Sequence, residues 1–374
     1  TPLAQFKSKS YELAEPYGVV LVMSPWNYPY LLSLDPLFGA VAAGNCVVLK
    51  PSAYAPNTSR AMAELIAAVF NPDWVTVIEG GREQNAALLE QRFDYIFFTG
   101  SVDVGKMVME KASRHLTPVT LELGGKSPVI VDRTANIPLT AKRLAFGKLL
   151  NAGQTCVAPD YCLVDRKVRD ELVEELKKQF QRMLGQDPLA NDHFVRIINR
   201  KHYNRLQGLR EGEEILCGGG HRDDPDSDSG WIAPTLVADT LDGTSKPMGE
   251  EIFGPILPII PYDGLDQAIH FINRREKPLA LYLFTRSQRI KERILRSCSF
   301  GGGCINDTII HLATHHMGFG GVGQSGMGSY HGKRSFDTFS HYRAIVDKAT
   351  WLDLPMRYHP YKKFNGKLIR MFIH

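Results

Sequence analysis

The segment Gly18-Val-Val-Leu-Val-Met23-Ser-Pro-Trp-Asn27 decides the fold class of this chain. Its first six residues form an apolar run, which is typical of a strand buried on both faces. Proline and polar residues end the run, and a helical stretch over residues 31–43 leads to a second apolar run at 46–49. This order of strand, helix and strand predicts parallel strands joined by crossover helices.

The same alternation continues along the chain and predicts an α/β fold with two doubly wound units. In the first unit we expect helices at 58–70, 82–91 and 101–115, and strands at 75–78, 95–98 and 119–123. In the second unit, which begins near residue 124, we expect helices at 137–150, 168–184, 193–209, 265–275 and 288–296. Its predicted strands are 161–164, 231–237, 256–260, 280–284 and 304–306, with an acidic loop at 223–230.

Size and composition agree with two globular domains. A chain of 374 residues is too long for one core, and 44% hydrophobic with 22% charged residues is ordinary for such a protein. The net charge of +4 comes without a long basic stripe, so we expect no nucleic-acid partner. No apolar run reaches about 18 residues, so we expect no membrane span. Six cysteines without a CxxC pair predict reduced thiols and a cytoplasmic location.

Chemically useful residues follow four of the predicted strands. Asn27, Lys50, Gly100 and Glu122 stand at or just beyond a strand end. Ligands of doubly wound sheets bind at the carboxyl ends of the strands, so these four positions indicate a site. Taken singly, Asn27 could close a turn, Lys50 could be a surface lysine and Glu122 could be an ion-paired structural carboxylate.

A candidate nucleophile lies in the segment Asn151-Ala-Gly-Gln-Thr-Cys156-Val-Ala-Pro-Asp160. Asn151 and Gly153 end a predicted helix, so Cys156 occupies a short loop where main-chain N–H groups could reach its sulfur. The alternative is that Cys156 is a buried small hydrophobe, as most free cysteines are. Cys304 is the rival nucleophile, although it begins an apolar strand and is expected to point inward.

Some of the other motifs indicate a functional site, and others are chance matches to known site patterns. Glu122 lies between leucines at a strand end, where burial would raise its pKa towards that of a general base. Gly100-Ser101 joins a strand to a helix and favours an anion, whereas the GxGxxG match at 321–326 follows no strand. His311 and His315 are four residues apart but have no companion ligands, so no metal site is predicted.

Seven motifs in order resemble the NAD(P)-dependent aldehyde dehydrogenases, nearest to their class 3 branch. The resemblance covers residues 17–342, and the 325–333 segment is similar to class 3 members in particular. The motifs are Pro25-Trp26-Asn27-Tyr28-Pro29, Lys50-Pro51-Ser52, Phe98-Thr99-Gly100-Ser101, Leu121-Glu122-Leu123-Gly124-Gly125-Lys126-Ser127-Pro128, Gly153-Gln154-Thr155-Cys156-Val157-Ala158-Pro159-Asp160-Tyr161, Glu250-Glu251-Ile252-Phe253-Gly254-Pro255 and Phe319-Gly320-Gly321-Val322-Gly323.

The resemblance implies a site and a reaction. Cys156 would attack the aldehyde, Asn27 and the N–H of Cys156 would hold the oxyanion, and Glu122 would activate the water that hydrolyses the thioester. The cofactor would be NAD or NADP, bound by Lys50, Gly100, Ser101, Glu251, Phe253, Trp26 and Leu123. On its own, Glu251 could instead cap a loop. The partner would be a small-molecule aldehyde.

A candidate substrate pocket comes from apolar residues flanking these motifs. An apolar pocket would favour aromatic or medium-length aliphatic aldehydes, although the same residues could belong to the core. The candidates are Tyr28, Leu32, Leu150, Ile309 and Ile310.

The resemblance also implies a domain plan and a homodimer. We expect a bridging arm or hairpin at 1–16, a dinucleotide-binding domain at 17–121, a catalytic domain at 122–326, and a bridging strand with a tail at 327–374. Two departures from the family stand out. Ala53 replaces a glutamate that binds the adenosine ribose in many members, which predicts tolerance of NADP. The family's leading helical segment is missing, which suggests a truncated or cleaved chain.

Three other functions stay open at this stage. A relative could pass the thioester to coenzyme A, although Glu122 argues against it. A cysteine hydrolase would need a histidine partner for Cys156, and the matched motifs around the site contain none. The chain could also keep the fold as a structural protein without turnover.

Overall fold

The computed structural model describes residues 7–353, 358–360 and 366 of the chain. The strands are β1 Ser8–Pro16, β2 Val19–Met23, β3 Cys46–Lys50, β4 Val75–Val77, β5 Tyr95–Thr99, β6 Val119–Glu122, β7 Pro128–Val131, β8 Tyr161–Asp165, β9 Ile215–Cys217, β10 His221–Asp224, β11 Ser229–Ile232, β12 Thr235–Ala238, β13 Ile256–Tyr262, β14 Ala280–Phe284, β15 Gly302–Ile305, β16 Gly326–Met327 and β17 Ser340–Lys348. The α-helices are α1 Leu31–Ala42, α2 Pro56–Val69, α3 Arg82–Leu89, α4 Val102–Ser113, α5 Ile137–Leu149, α6 Arg169–Leu184, α7 Arg200–Arg210, α8 Leu265–Asn273, α9 Gln288–Ser297 and α10 Lys333–Thr338.

The first sheet has the strand order β16-β6-β5-β2-β3-β4. Strands β2 to β6 run parallel, and only the two-residue β16 is antiparallel. The central strand β2 is covered on both faces, since Val20, Leu21 and Val22 have no exposed surface. This explains why its sequence is continuously apolar rather than alternating.

The second sheet has the order β15-β14-β7-β8-β13-β12-β9, and it is parallel except for β9. Every residue of β8 and β14 is buried. Helix α6 packs against α5, and its buried residues Leu172, Leu176 and Phe180 form an apolar stripe with helical spacing. The predicted α/β fold with two doubly wound units is confirmed.

Two antiparallel ribbons stand outside the sheets. Strand β1 pairs with β17 over nine residues, so the predicted arm and the predicted bridging strand meet in one ribbon rather than in a local hairpin. Residues 1–6 of the arm, and 354–357, 361–365 and 367–374 of the tail, lie outside the described residues. Strand β16 pairs with β6 and belongs to the first sheet.

Helix α7 begins later than predicted, at Arg200 rather than at residue 193. The N–H groups before it bind elsewhere: Ile197 N donates to Gly230 O at 2.9 Å and Ile198 N to Gln154 Oε1 at 3.0 Å. The side chain of Asn199 then accepts from His202 N at 3.0 Å and caps the helix.

Two further differences concern strands. The acidic segment 223–230 was predicted as a loop but lies in the β10–β11 hairpin, whose turn is closed by the Asp224 carboxylate. The run 231–237 was predicted as one strand, and it is interrupted between Ile232 and Thr235. Strand β7 was not predicted, because its first residue, Pro128, ends a motif assigned to the site and only three apolar residues follow it.

Candidate active site

The sheet topology brings the four predicted strand-end residues to one edge. Strands β6, β5, β2 and β3 are neighbours in the first sheet. In the register of these strands Met23 pairs with both Lys50 and Phe98, and Thr99 pairs with Glu122. The loops that carry Asn27 and Gly100 leave from the same edge.

The loop before Cys156 has a strained backbone. Asn151, Ala152 and Gly153 all have positive φ, at 50°, 51° and 72°. A side chain at Gly153 would place its Cβ 2.3 Å from Gly254 O, so only glycine fits this close approach. The chain is therefore turned sharply between α5 and the loop.

Hydrogen bonds hold the loop in this shape. Gln154 Nε2 donates to Asn151 O and Arg196 O at 3.1 and 3.2 Å, and Gln154 Oε1 accepts from Ile198 N. A buried glutamine with these three partners clamps the loop to the segment before α7. The position of Cys156 is thus determined by long-range contacts.

The first unit contacts the same loop through Asn27 and Tyr28. Asn27 Nδ2 donates to Gln154 O at 3.1 Å, and Asn27 O accepts from Asn151 Nδ2 at 3.1 Å. The Tyr28 hydroxyl lies 2.7 Å from Thr155 Oγ1. An amide nitrogen carries two protons, so Asn27 keeps one N–H for another acceptor.

The Cys156 thiol is partly buried and lies near two carboxyl groups. Burial, followed by the charges of Glu251 and Glu122, raises the pKa of Cys156 to about 12. The N–H groups of Cys156 and Val157 point towards the sulfur and lower this pKa. They favour the thiolate, as a nucleophilic cysteine requires.

The two carboxyl groups are themselves perturbed. Burial raises the pKa of Glu122 well above its usual range, and neither carboxyl oxygen has a hydrogen-bond partner among the described residues. Burial, followed by the charge of Asp160, raises the pKa of Glu251 to about 8, while the N–H of Gly125 lowers it. A buried and unpaired carboxyl group is poised to take up a proton.

A buried ion pair fixes the backbone around Glu251. Lys126 and Asp160 form a salt bridge, and Lys126 Nζ also donates to Pro247 O and Glu250 O at 2.7 and 2.8 Å. Asp160 Oδ2 accepts from Ile252 N at 2.9 Å. These bonds fix the chain on both sides of Glu251.

Two cavities meet at Cys156. One has a volume of about 420 Å³ and a mostly apolar wall, and the other has a volume of about 440 Å³ and a more polar wall. Among the residues that the structure describes, only Leu32 and Cys156 line both cavities. The thiol therefore stands where contents of the two cavities could meet.

Most of the predicted cofactor-binding residues line the polar cavity, together with the predicted catalytic residues Asn27 and Glu122. Trp26 and Phe253 meet edge to face in its wall, with ring centroids 5.5 Å apart. Ser101 is the N-cap residue of α4, and its neighbour Gly100 lies over Phe98, where a Cβ would come within 2.5 Å of the ring. The predicted residues in its wall are Trp26, Asn27, Gly100, Ser101, Glu122, Leu123, Glu251 and Phe253.

Lys50 lies nearby but does not line this cavity. Its ammonium group donates to Pro51 O and Gly80 O, both at 2.7 Å, and burial lowers its pKa. Two of its three protons are therefore used, and one is left for a ligand.

The apolar cavity contains four of the five predicted pocket residues, Tyr28, Leu32, Leu150 and Ile309. Ile310 differs from the prediction: it does not line the cavity, and its side chain is 53% exposed. The positive φ of Ile309, 66°, turns the chain so that the two neighbouring isoleucines face opposite sides.

Sequence reasoning missed several lining residues. His202 and Arg205 of α7 line the polar cavity, and Leu312, Phe319, Tyr330 and His331 line the apolar one. No spacing or motif distinguished His202, Arg205 and Leu312, which reach the site only through the packing of distant segments. The other three lie in segments matched to the family, at 319–323 and 325–333, but nothing in those segments indicated a place in the pocket wall. Two of them, Phe319 and Tyr330, are joined by an isolated β-bridge.

The rival Cys304 is buried and lines neither cavity. Its sulfur lies 3.5 Å from His311 Nδ1. Within residues 7–353, 358–360 and 366, no group of three or more potential ligands could hold a metal ion. None of the helices described is long and apolar enough to cross a membrane.

Comparisons with known proteins agree with this geometry. The aldehyde dehydrogenase family model matches residues 2–345. A 4,4'-diaponeurosporen-aldehyde dehydrogenase of Staphylococcus aureus is 50% identical over 374 residues, covering 100% of this chain and 80% of that protein. Aldehyde dehydrogenase family 3 member B1 of Bos taurus is 49% identical over 359 residues, covering 96% of this chain and 76% of that protein.

A solved structure is equally similar. The substrate-bound state of Staphylococcus aureus AldH has a TM-score of 0.95 and 49% identity, covering 100% of this chain and 81% of that chain. The resemblance to the class 3 branch is confirmed by the family 3 relative. The chain therefore belongs to the aldehyde dehydrogenase family, whose members oxidise aldehydes with NAD or NADP.

Proposed function

We propose that the chain oxidises aromatic or medium-length aliphatic aldehydes to carboxylic acids through a thioester on Cys156. The observation that carries this proposal is the position of Cys156 at the junction of an apolar and a polar cavity. The apolar cavity would hold the aldehyde and the polar one the nicotinamide cofactor. A nucleophile at the junction can contact the carbonyl carbon while the cofactor lies on the other side.

Attack by Cys156 forms a carbon–sulfur bond and places a negative charge on the carbonyl oxygen. The second N–H of the Asn27 amide and the N–H of Cys156 would stabilise this oxyanion. Asn27 is suited to the role because its bond to Gln154 O fixes the amide beside the nucleophile loop. The resulting thiohemiacetal then loses hydride and becomes a thioester.

Hydrolysis of the thioester needs a base. Glu122 would take a proton from water, which attacks the carbonyl carbon, breaks the carbon–sulfur bond and releases the carboxylic acid. Its buried carboxyl group, without hydrogen-bond partners among the described residues, supports this role. A raised pKa makes the carboxylate a stronger base than an exposed glutamate.

The polar cavity fits NAD or NADP. Bound there, either cofactor supplies the acceptor for the hydride. The first turn of α4 at Ser101 offers unpaired N–H groups to a phosphate, and the Ser101 side chain makes no capping bond that would compete for them. Lys50 and Glu251 would contact ribose hydroxyls, with Phe253 and Trp26 beside the nicotinamide and Leu123 in the cavity wall.

The decisive assay measures formation of reduced cofactor with a panel of aldehydes. Cys156→Ala should abolish it, whereas Cys304→Ala, which alters a buried thiol outside both cavities, should retain it. If Cys304→Ala is inactive while Cys156→Ala remains active, the assignment of Cys156 as the nucleophile is wrong. Product formation without nicotinamide would indicate a hydrolase, and a requirement for coenzyme A would indicate an acylating enzyme.

We also propose a cytoplasmic homodimer with the domain boundaries predicted above. The β1–β17 ribbon supports association, because it exposes Tyr11, Leu13 and Val346 by 45% to 63%. Free cysteines at all six positions support a reducing location. Sedimentation of wild type against Val346→Asp tests the dimer, since a charge in the contact should shift the protein to monomers.

A further inference from the structure

A carboxylate and an imidazole lie close together in the mostly apolar cavity. Asp35 and His331 both line it, with His331 Nε2 3.5 Å from Asp35 Oδ2. Most of the remaining wall is aliphatic or aromatic. Charged and imidazole groups are costly in such a wall unless they have a partner.

The pair lines the apolar cavity but not the polar one, whereas Cys156 lines both. Leu32 stands at the junction of the two cavities, and Asp35 follows it by three residues on α1, so both face the cavity. One turn of helix advances about 5 Å. An aldehyde whose carbonyl meets Cys156 would extend past Asp35.

Both partners of the pair have unused hydrogen-bonding capacity. Apart from His331, no described residue contributes a hydrogen bond or an ion pair to the Asp35 carboxylate. Burial raises the pKa of Asp35, and it lowers the pKa of His331. The Asp35 carboxylate can accept a further hydrogen bond from a molecule in the cavity.

The imidazole ring is held firmly in place. It stacks on Phe319 with a centroid distance of 5.4 Å and an angle of 16°, and His331 N donates to Ser335 Oγ at 2.9 Å. The charged and titratable groups on the surrounding wall are Asp35, Cys156, His315 and the phenols Tyr28 and Tyr330. His331 therefore presents Nε2 to Asp35 in a fixed direction.

We propose that Asp35 and His331 form a polar subsite for a hydroxyl group on the substrate, so that hydroxyaldehydes are preferred over alkyl aldehydes of equal length. The inference rests on the proposed function and names its substrate class. A hydroxyl group can donate to the Asp35 carboxylate and accept from His331 Nε2–H. A protonated amine can only donate, and burying its charge in this wall costs more.

The test compares kcat/KM for straight-chain aldehydes from butanal to nonanal with their ω-hydroxy counterparts. We expect the ratio of hydroxy to alkyl substrate to peak at one chain length. Asp35→Leu should lower that peak by about tenfold to hundredfold, the range of a hydrogen bond to a charged group. His331→Phe, which keeps an aromatic ring against Phe319, should lower it as well. Asp73→Asn, an exposed carboxylate outside both cavities, is the matched control.

Binding provides a readout independent of turnover. Calorimetry should show tighter binding of an α,ω-diol than of the primary alcohol of equal length in wild type, but not in Asp35→Leu. If the enzyme oxidises alkyl aldehydes but Asp35→Leu leaves the hydroxy-to-alkyl ratio of kcat/KM unchanged, the subsite is overturned and the proposed function stands. If no aldehyde reduces the cofactor, the proposed function fails, and the diol comparison still decides the subsite. A preference for ω-amino over ω-hydroxy substrates also overturns it.

Discussion

Replacing Glu122 by Gln should separate the two halves of the reaction. Glutamine has the same shape as glutamate, so the close packing of residue 122 against Gly320 is preserved. This packing is tight, because a Cβ added to Gly320 would lie 3.2 Å from Glu122 Oε1. The change removes the proposed base and also one of the charges that raise the pKa of Cys156. Attack by the thiolate should therefore continue while hydrolysis of the thioester stalls.

The expected magnitude follows from the isolation of this carboxyl group. General base catalysis contributes roughly 10² to 10⁴ in rate, which corresponds to about 3–5 kcal/mol in the barrier. Neither oxygen of Glu122 has a hydrogen-bond partner among the residues described, so no neighbouring group is placed to relay its proton. We expect the steady-state rate to fall by about a thousandfold, within that range.

Rapid mixing with aldehyde and cofactor measures both halves at once. Glu122→Gln should give a burst of about one reduced cofactor per chain, followed by a slow phase. Glu64→Gln, a change of the same kind on the exposed surface of α2, should behave as wild type. A variant without a burst, or one with an unchanged steady state, would refute the assignment of Glu122 to hydrolysis.

Three further changes test other parts of the site. Glu251→Gln removes a charge that raises the pKa of Cys156, so the midpoint of iodoacetamide alkylation against pH should move to lower pH; an upward move would contradict the coupling. Ala53→Glu places a carboxylate on an exposed turn after β3, so KM for NADP should rise about tenfold with little change for NAD, and equal effects would contradict the proposed NADP tolerance. Gly153→Ala forces a Cβ to within 2.3 Å of Gly254 O at a positive φ, so thermal unfolding should show a loss of about 1–3 kcal/mol together with lower kcat; an unchanged Tm would show that the loop relaxes freely.

The sequence by itself determined the fold class and the identity of the central strands. Apolar runs such as those of β2 and β14 report burial on both faces, and burial on both faces requires helices on each side of a parallel sheet. The same logic predicted that Asn27, Lys50 and Glu122 would share an edge, because parallel strands end together. Such inferences succeed where the relevant physics is local or follows from strand direction.

Packing between distant segments decided the rest. Cys156 reaches the first unit only because Gln154 is bound to the segment before α7 and to Asn27, contacts that no local pattern encodes. The late start of α7 has the same origin, since Ile198 N–H is used by Gln154. Asp35 was unremarkable in the sequence, and only the approach of His331 from a segment almost 300 residues away in the chain makes it a candidate subsite. Burial and charge compensation depend on the whole surroundings of a group, so they are properties of the tertiary structure.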